Sequence, residues 1–532
     1  MFNFNKYKSI NFTPPEVSNE SSIYNLIKSQ IDENDPSKDL DYEKLPKVRV
    51  LNNESQIQYA PGLEDMLFGA SGSKEEKNGW KKIKLVIDAI NSGKINNWQV
   101  VEKNILDIKV SKNIDTLLGK LTYTDFTEKV KNLFFQVAIK GHTYEAVKWG
   151  IAIGGVDASK EEIEQFLILA RHAEFTVYVS HVIFRESEKN PVYKKYLISL
   201  LPSTHQWGVV SLIQYIVQDE SLVSQKETQR DIVVYGMENN DGIAMEIGFI
   251  IAKAINFESI FSMGLEDVQL RHGLVYLMST LMFESNPLGG ILDLDNGETV
   301  LKDYISFLEK LPVDVIILSG FKDVEDFLKD DEVKWKNRSI YLEEVHEKFE
   351  ELYDTEIIKN GLHDEKTKWA ALGLIDKLKI KDLRHELLDL YQKTPLSYKI
   401  NYLQSILLEI GNEEDVRTVF QKTLSFIDFN FRKAQPMSKI NIVGPKHANN
   451  YLYSSIIKNL WRIPSTEAVG HLKQALNDYD PVIRSAACES VGKLPFDWID
   501  PELKELIKER TDDQPNYVKE SAEEALRKIS KN

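Results

Sequence analysis

The sequence predicts an all-α fold, a solenoid of stacked antiparallel helix pairs with a less regular N-terminal segment. Three observations predict it. The first is a repeat near the C-terminus. DYDPVIRSAACESVGKL and DDQPNYVKESAEEALRKI superpose at a shift of 35, which sets Asp478 on Asp513, Ile483 on Val518, Arg484 on Lys519, Ala487 on Ala522, Val491 on Leu526 and Leu494 on Ile529. A helix pair of this size cannot bury its apolar face alone, so repeats stack side by side. The second is unbroken helical periodicity from Trp80 onward. The third is composition: 26 Gly and 17 Pro in 532 residues leave few obligatory turns, and a 42% hydrophobic content can build a large core.

The elements follow in order. Residues 1–78 contain TPPE, NDPS, APG and GASGSKEEKNG and little sustained periodicity, so they read as loops with short helices such as Ser22–Ile31. Residues 79–425 form the helical repeat region. Its first helix starts at Trp80 and stops at Asn91-Ser92-Gly93, the next stop at Gly141 and at Gly154-Gly155, and Ser159 with Glu162 makes a capping box that opens another. Val192–Leu201, Trp207–Val217, Gly242–Ile255, Leu270–Phe283 and Ile340–Tyr353 continue the series. Val313–Leu318 has the composition of a strand, although a helix is equally allowed. Lys366–Leu378 and Lys399–Ile410 match weakly at a shift of 32, in keeping with drifting repeats. Residues 426–450, FIDFNFRKAQPMSKINIVGPKHANN, interrupt the helices as an inserted loop, and residues 451–532 resume the repeats.

The tail resembles the HEAT-repeat family, within the armadillo-type α-solenoids. The residues are Asp478, Pro481, the apolar-basic pair Ile483-Arg484, then Ala487, Val491 and Leu494; in the second copy Asn516 takes the proline position and Val518-Lys519 the pair. The resemblance implies that the aspartate and the basic residue bond along the stack, so Asp478, Arg484, Asp513 and Lys519 are expected to be scaffold residues.

Charge narrows the partners. The 82 acidic and 66 basic residues leave a net charge of −16, a field that opposes nucleic acid and favours a basic partner. No apolar stretch reaches the roughly 20 residues needed to cross a bilayer, and no signal-like segment opens the chain, so a soluble cytoplasmic protein is expected, from a bacterium by its Lys-, Asn- and Ile-rich usage. The single cysteine, Cys488, excludes an intrachain disulfide and reads as a buried core thiol.

Motifs for chemistry are absent: there is no GxxxxGK[ST], GxSxG or HExxH. His346-Glu347-Lys348-Phe349-Glu350 and His385-Glu386-Leu387-Leu388-Asp389 each set a histidine and a carboxylate on one helix face, but their charged flanks read as solvated surface. Asp293-Leu294-Asp295-Asn296-Gly297-Glu298 is spaced wrongly for a calcium loop and reads as a turn before a helix. Trp149 and Trp369, beside apolar neighbours, are expected in the core. The expectation is a non-enzymatic protein-binding scaffold without cofactors, such as an immunity or adaptor protein, gripping a basic protein. The alternatives are a nucleic-acid-binding protein and a metal-dependent enzyme using His346, Glu347, His385 and Glu386. The binding candidates are Trp335, in a charged setting, and the basic-aromatic island Phe429, Phe431, Arg432, Lys433, Lys446 and His447.

Overall fold

The computed structural model describes residues 10–13, 21–32, 34–35, 37–46, 62, 65, 78–238, 244–283, 289–395, 400–439 and 449–531. Every regular element among them is helical. The chain divides into two compact units, one reaching to about residue 351 and the other comprising mainly Leu352–Asn532.

In the first unit, sequence punctuation sets the helix ends. Trp80–Asn91 ends at Ser92, and Gly93 then takes φ 77°, which favours a residue without Cβ. Glu128–Lys140 starts at Thr127, whose side chain accepts from the Val130 N–H, and ends at Gly141. The Ser159 capping box forms as the spacing predicts: Ser159 N–H donates to Glu162 at 2.8 Å and Glu162 N–H to the Ser159 hydroxyl at 3.3 Å, opening Lys160–Leu169. The Val313–Leu318 stretch joins a helix, Val315–Lys329, because its apolar residues continue at helical spacing through Phe321, Val324 and Leu328.

Helices of this unit pack on their successors. Glu128–Lys140 lies against Tyr144–Gly154, which lies against Ala173–Lys189, which lies against Trp207–Val217. The first contact is close because Gly150 and Gly154 face the backbone of Phe134, Phe135 and Ala138; a Cβ at Gly150 would come within 2.5 Å of the Ala138 nitrogen. Trp149 fills the adjoining core, fully buried, and donates to the Ile108 carbonyl at 2.8 Å.

The N-terminal segment is tied on by buried charge. Lys148 lies 2.5 Å from Asp65, 2.5 Å from Glu174 and 3.2 Å from Glu145, and the side chains of all four are buried. Burial opposes the ammonium, yet the three carboxylates outweigh it and hold Lys148 well above its ordinary value. The neighbouring His172 is pushed down to about 4, chiefly by burial.

The second unit is a two-layer stack. Lys368–Leu378, Ile400–Ile410, Asn449–Asn459, Pro481–Val491 and Asn516–Lys531 form one layer, each packing on the next. Arg384–Lys393, Glu413–Leu424, Thr466–Leu476 and Pro501–Arg510 form the other. Asp480 caps Pro481–Val491 and Asp500 caps Pro501–Arg510, each with proline at the first helical position, where no N–H is needed. Ile483, Ala487, Cys488 and Val491 are fully buried, and burial raises the Cys488 thiol to about 12. Small residues allow the approach: a Cβ on Gly492 would meet the Ala525 Cα at 3.0 Å.

Among the described residues no single helix is long and apolar enough to cross a membrane.

Candidate protein-binding surfaces

Buried arginines join successive repeats of the second unit. Arg484, fully buried, reaches forward to Asp513 at 2.7 and 2.8 Å, and donates to the carbonyls of Asp478, Tyr479 and Ser438. Asp478 in turn receives Arg432 from helix Phe429–Ala434, with both bonds at 2.7 Å. Paired and bidentate in this way, a buried guanidinium is tolerated. Lys519, at the matching position of the last helix, is half exposed and among the described residues meets Glu523 at 3.9 Å.

The stretch expected as an inserted loop contains helix Phe429–Ala434 and the start of Asn449–Asn459. Arg432 lies inside it and is buried, its guanidinium over the rings of Tyr453 and Tyr479 at 4.9 Å and bonded to Asn450 as well as Asp478. That side chain is held wholly within the fold. Phe429 is half buried, edge-on to Tyr453 at 5.9 Å and tilted against His471 at 5.7 Å. Phe431, also half buried, meets Tyr479 edge-on at 6.2 Å. Lys433 is exposed. Lys446 and His447 lie outside the described residues. Trp335, in the first unit, is half buried, edge-on to Phe327 at 5.6 Å and in reach of Gly297.

Ser438 donates its N–H to the Tyr479 carbonyl at 2.8 Å, and Met437 sulfur lies 3.4 Å from Arg510. The chain after Phe429–Ala434 is thereby fastened across the following repeats.

The charge is concentrated in one stretch. Residues 201–351 contain 28 acidic and 12 basic residues, which accounts for the whole net charge of −16; residues 1–200 and 352–532 are each balanced at 27 of either sign. Within that stretch a cleft of about 620 Å³ is lined by Glu258, Asp293, Asp295 and Asp303 against a single cation, Lys253. The acidic turn is folded on itself, since Asp293 accepts from the Gly290 N–H at 2.7 Å, and helix Gly297–Leu308 starts just beyond.

The two His–Glu pairs make other bonds. His346 Nδ1 lies 2.8 Å from Glu325, and Glu386 pairs with Lys359 at 2.9 Å. Burial of Glu325 favours its neutral form, but bonds from Lys322, Lys329 and His346 prevail and bring its carboxyl down to about 2. Among the described residues no three His, Cys, Asp or Glu side chains gather as a metal-holding group.

Residues 445–527 match the family model for HEAT repeats. The C-terminal end of the chain is a HEAT-repeat array. No curated protein matches the chain. Among solved structures, the crystal structure of an engineered protein is similar at 12% identity and a TM-score of 0.28, over 84% of this chain and 99% of that one.

With the HEAT array in place, two signals missed in the sequence become readable. Asp428 and Arg432 repeat the spacing of Asp480 and Arg484, at a shift of 52. Both aspartates cap their helices, and both arginines bond to an aspartate further along the chain. Trp369, expected in the core, is instead 37% exposed. The apolar neighbours that suggested burial, Ala370 and Ala371, themselves occupy the buried face with Leu374 and Ile375, and Trp369 lies one position outside it.

Proposed function

We propose that this chain is a protein-binding scaffold whose partner is a basic protein, engaged through the acidic stretch 201–351. The observation that carries the reading is the concentration of the whole net charge of −16 in those residues, including the four carboxylates of the cleft. A locally acidic surface speeds the encounter with a basic partner and repels polyanions. A stack of helices with polar, self-bonded ends supplies area rather than a reaction centre, which agrees with a scaffold role as an adaptor or an immunity protein. The test is capture of partners from the native host at low salt, with wild type and with the variant E258Q/D293N/D295N/D303N. The reading expects a basic protein that the wild type retains and the variant loses. Equal retention by both proteins would dismiss it.

A further inference from the structure

The second unit carries a row of exposed rings at one register position of three successive helices of one layer. Trp369 is 37% exposed, Tyr402 38% and Tyr451 56%. In each helix the next two residues are buried, as are those five and six positions on: Ala370, Ala371, Leu374 and Ile375; Leu403, Gln404, Leu407 and Leu408; Leu452, Tyr453, Ile456 and Ile457. The three rings therefore share one face. Trp369 and Tyr402 stack across the helix boundary with centroids 6.5 Å apart. Asn401-Tyr402-Leu403 and Asn450-Tyr451-Leu452 repeat the same tripeptide on helices that pack together.

Seven residues beyond the first two rings stand Asp376 and Glu409. Seven residues make nearly two full turns, so each acid lies on its ring's face about 10 Å along the helix. The Tyr402 hydroxyl donates to Asp376 at 3.0 Å, and Lys379 bridges Asp376 at 3.0 Å and Glu409 at 2.8 Å, which leaves the acid row net negative. On the third helix the matching position is Lys458, already paired with Glu489 at 3.0 Å. Elsewhere partly exposed rings of this unit take a cation from the chain itself: Lys504 lies 4.7 Å from Phe496 and Lys493 lies 5.7 Å from Trp461. Among the described residues no cation covers Trp369, Tyr402 or Tyr451.

We infer that this row is a docking site for an extended, arginine- or lysine-bearing segment of the partner, its cations over the rings and beside Asp376 and Glu409. The occupant follows from charge: uncovered ring faces and a net negative row both favour a cation. The inference rests on the reading that the partner is basic and assigns part of its binding to the second unit, whose residues 352–532 carry no net charge. Helices packed 8–10 Å apart place the outer rings about 20 Å apart, a span that about six or seven extended residues cover.

The test is fluorescence anisotropy at low salt with a labelled Arg-Gly repeat peptide of about twelve residues, long enough for that span, and its Gln-Gly counterpart, on the full chain. The expected result is binding of the Arg peptide only, weakened about tenfold or more by W369A/Y402A and by D376N/E409Q. Tyr451→Ala, at the most exposed ring, gives an independent loss if the double variant fails to fold. Binding that survives the ring variants but falls with D295N/D303N would overturn the row and leave the basic-partner reading standing. Equal binding of the Gln-Gly peptide would overturn the cationic occupant. Absence of Arg-peptide binding to the wild type would overturn the row; capture of a basic host protein would still decide the wider reading separately.

Discussion

The Arg484 guanidinium donates from Nε and Nη2 to the two carboxylate oxygens of Asp513, closing a buried bidentate pair between one HEAT repeat and the next. Removing the acid would leave a fully buried cation with only carbonyl partners. Asp513→Ala is expected to cost about 3–5 kcal/mol, with the loss confined to the C-terminal repeats. Hydrogen exchange measured helix by helix checks this: protection should fall from Pro481 onward and remain in the first unit.

Ala487 gives a steric counterpart. It is fully buried where Pro481–Val491 meets its neighbours. Ala487→Glu would bring an unpaired carboxylate into that contact, and the C-terminal repeats are expected to unfold. A melt identical to wild type would place Ala487 on the surface.

His172 makes stability depend on pH in a stated direction. Its Nδ1 accepts from the Glu174 N–H at 3.2 Å, and Nε2 lies 3.3 Å from the Tyr144 hydroxyl, an arrangement that suits the neutral ring. Burial holds it at about 4, against 6.5 when unburied. As pH falls the unfolded chain therefore takes up this proton first. The contribution is complete above pH 6.5 and declines toward pH 4 by at most about 3 kcal/mol. Urea titrations of wild type and His172→Gln across that window check it, the variant showing the shallower slope.

Lys148 binds the N-terminal segment through Asp65. Lys148→Met leaves Asp65 and Glu174 buried without their cation, at a cost of about 3–5 kcal/mol. Limited proteolysis should then cut near residue 65 faster than in wild type, with cleavage in the HEAT repeats unchanged.

How much of this was legible depended on spacing. Asp478, Arg484 and Asp513 could be read because two copies keep one period. Arg432 could not, because its partner Asp478 lies 46 residues further on and its basic-aromatic neighbours imitate a surface loop. Trp369 was misplaced because flanking alanines signal burial of a helix without saying which side of it a given residue occupies; one position rotates a side chain by about 100°. Lys148 and its three acids come from 65, 145 and 174, a separation that no local pattern reveals. The acidic stretch was countable in the sequence, but its cleft needed Glu258 and Asp303 brought together by the fold.

The most direct test of the central claim is cross-linking mass spectrometry on the complex captured from the native host at low salt. The expected result is a basic partner, released as salt rises and the Debye length shrinks from about 10 Å at 0.1 M to 3 Å at 1 M, with cross-links concentrated in residues 201–351. An acidic or neutral partner retained at high salt, with cross-links that avoid 201–351, would contradict it.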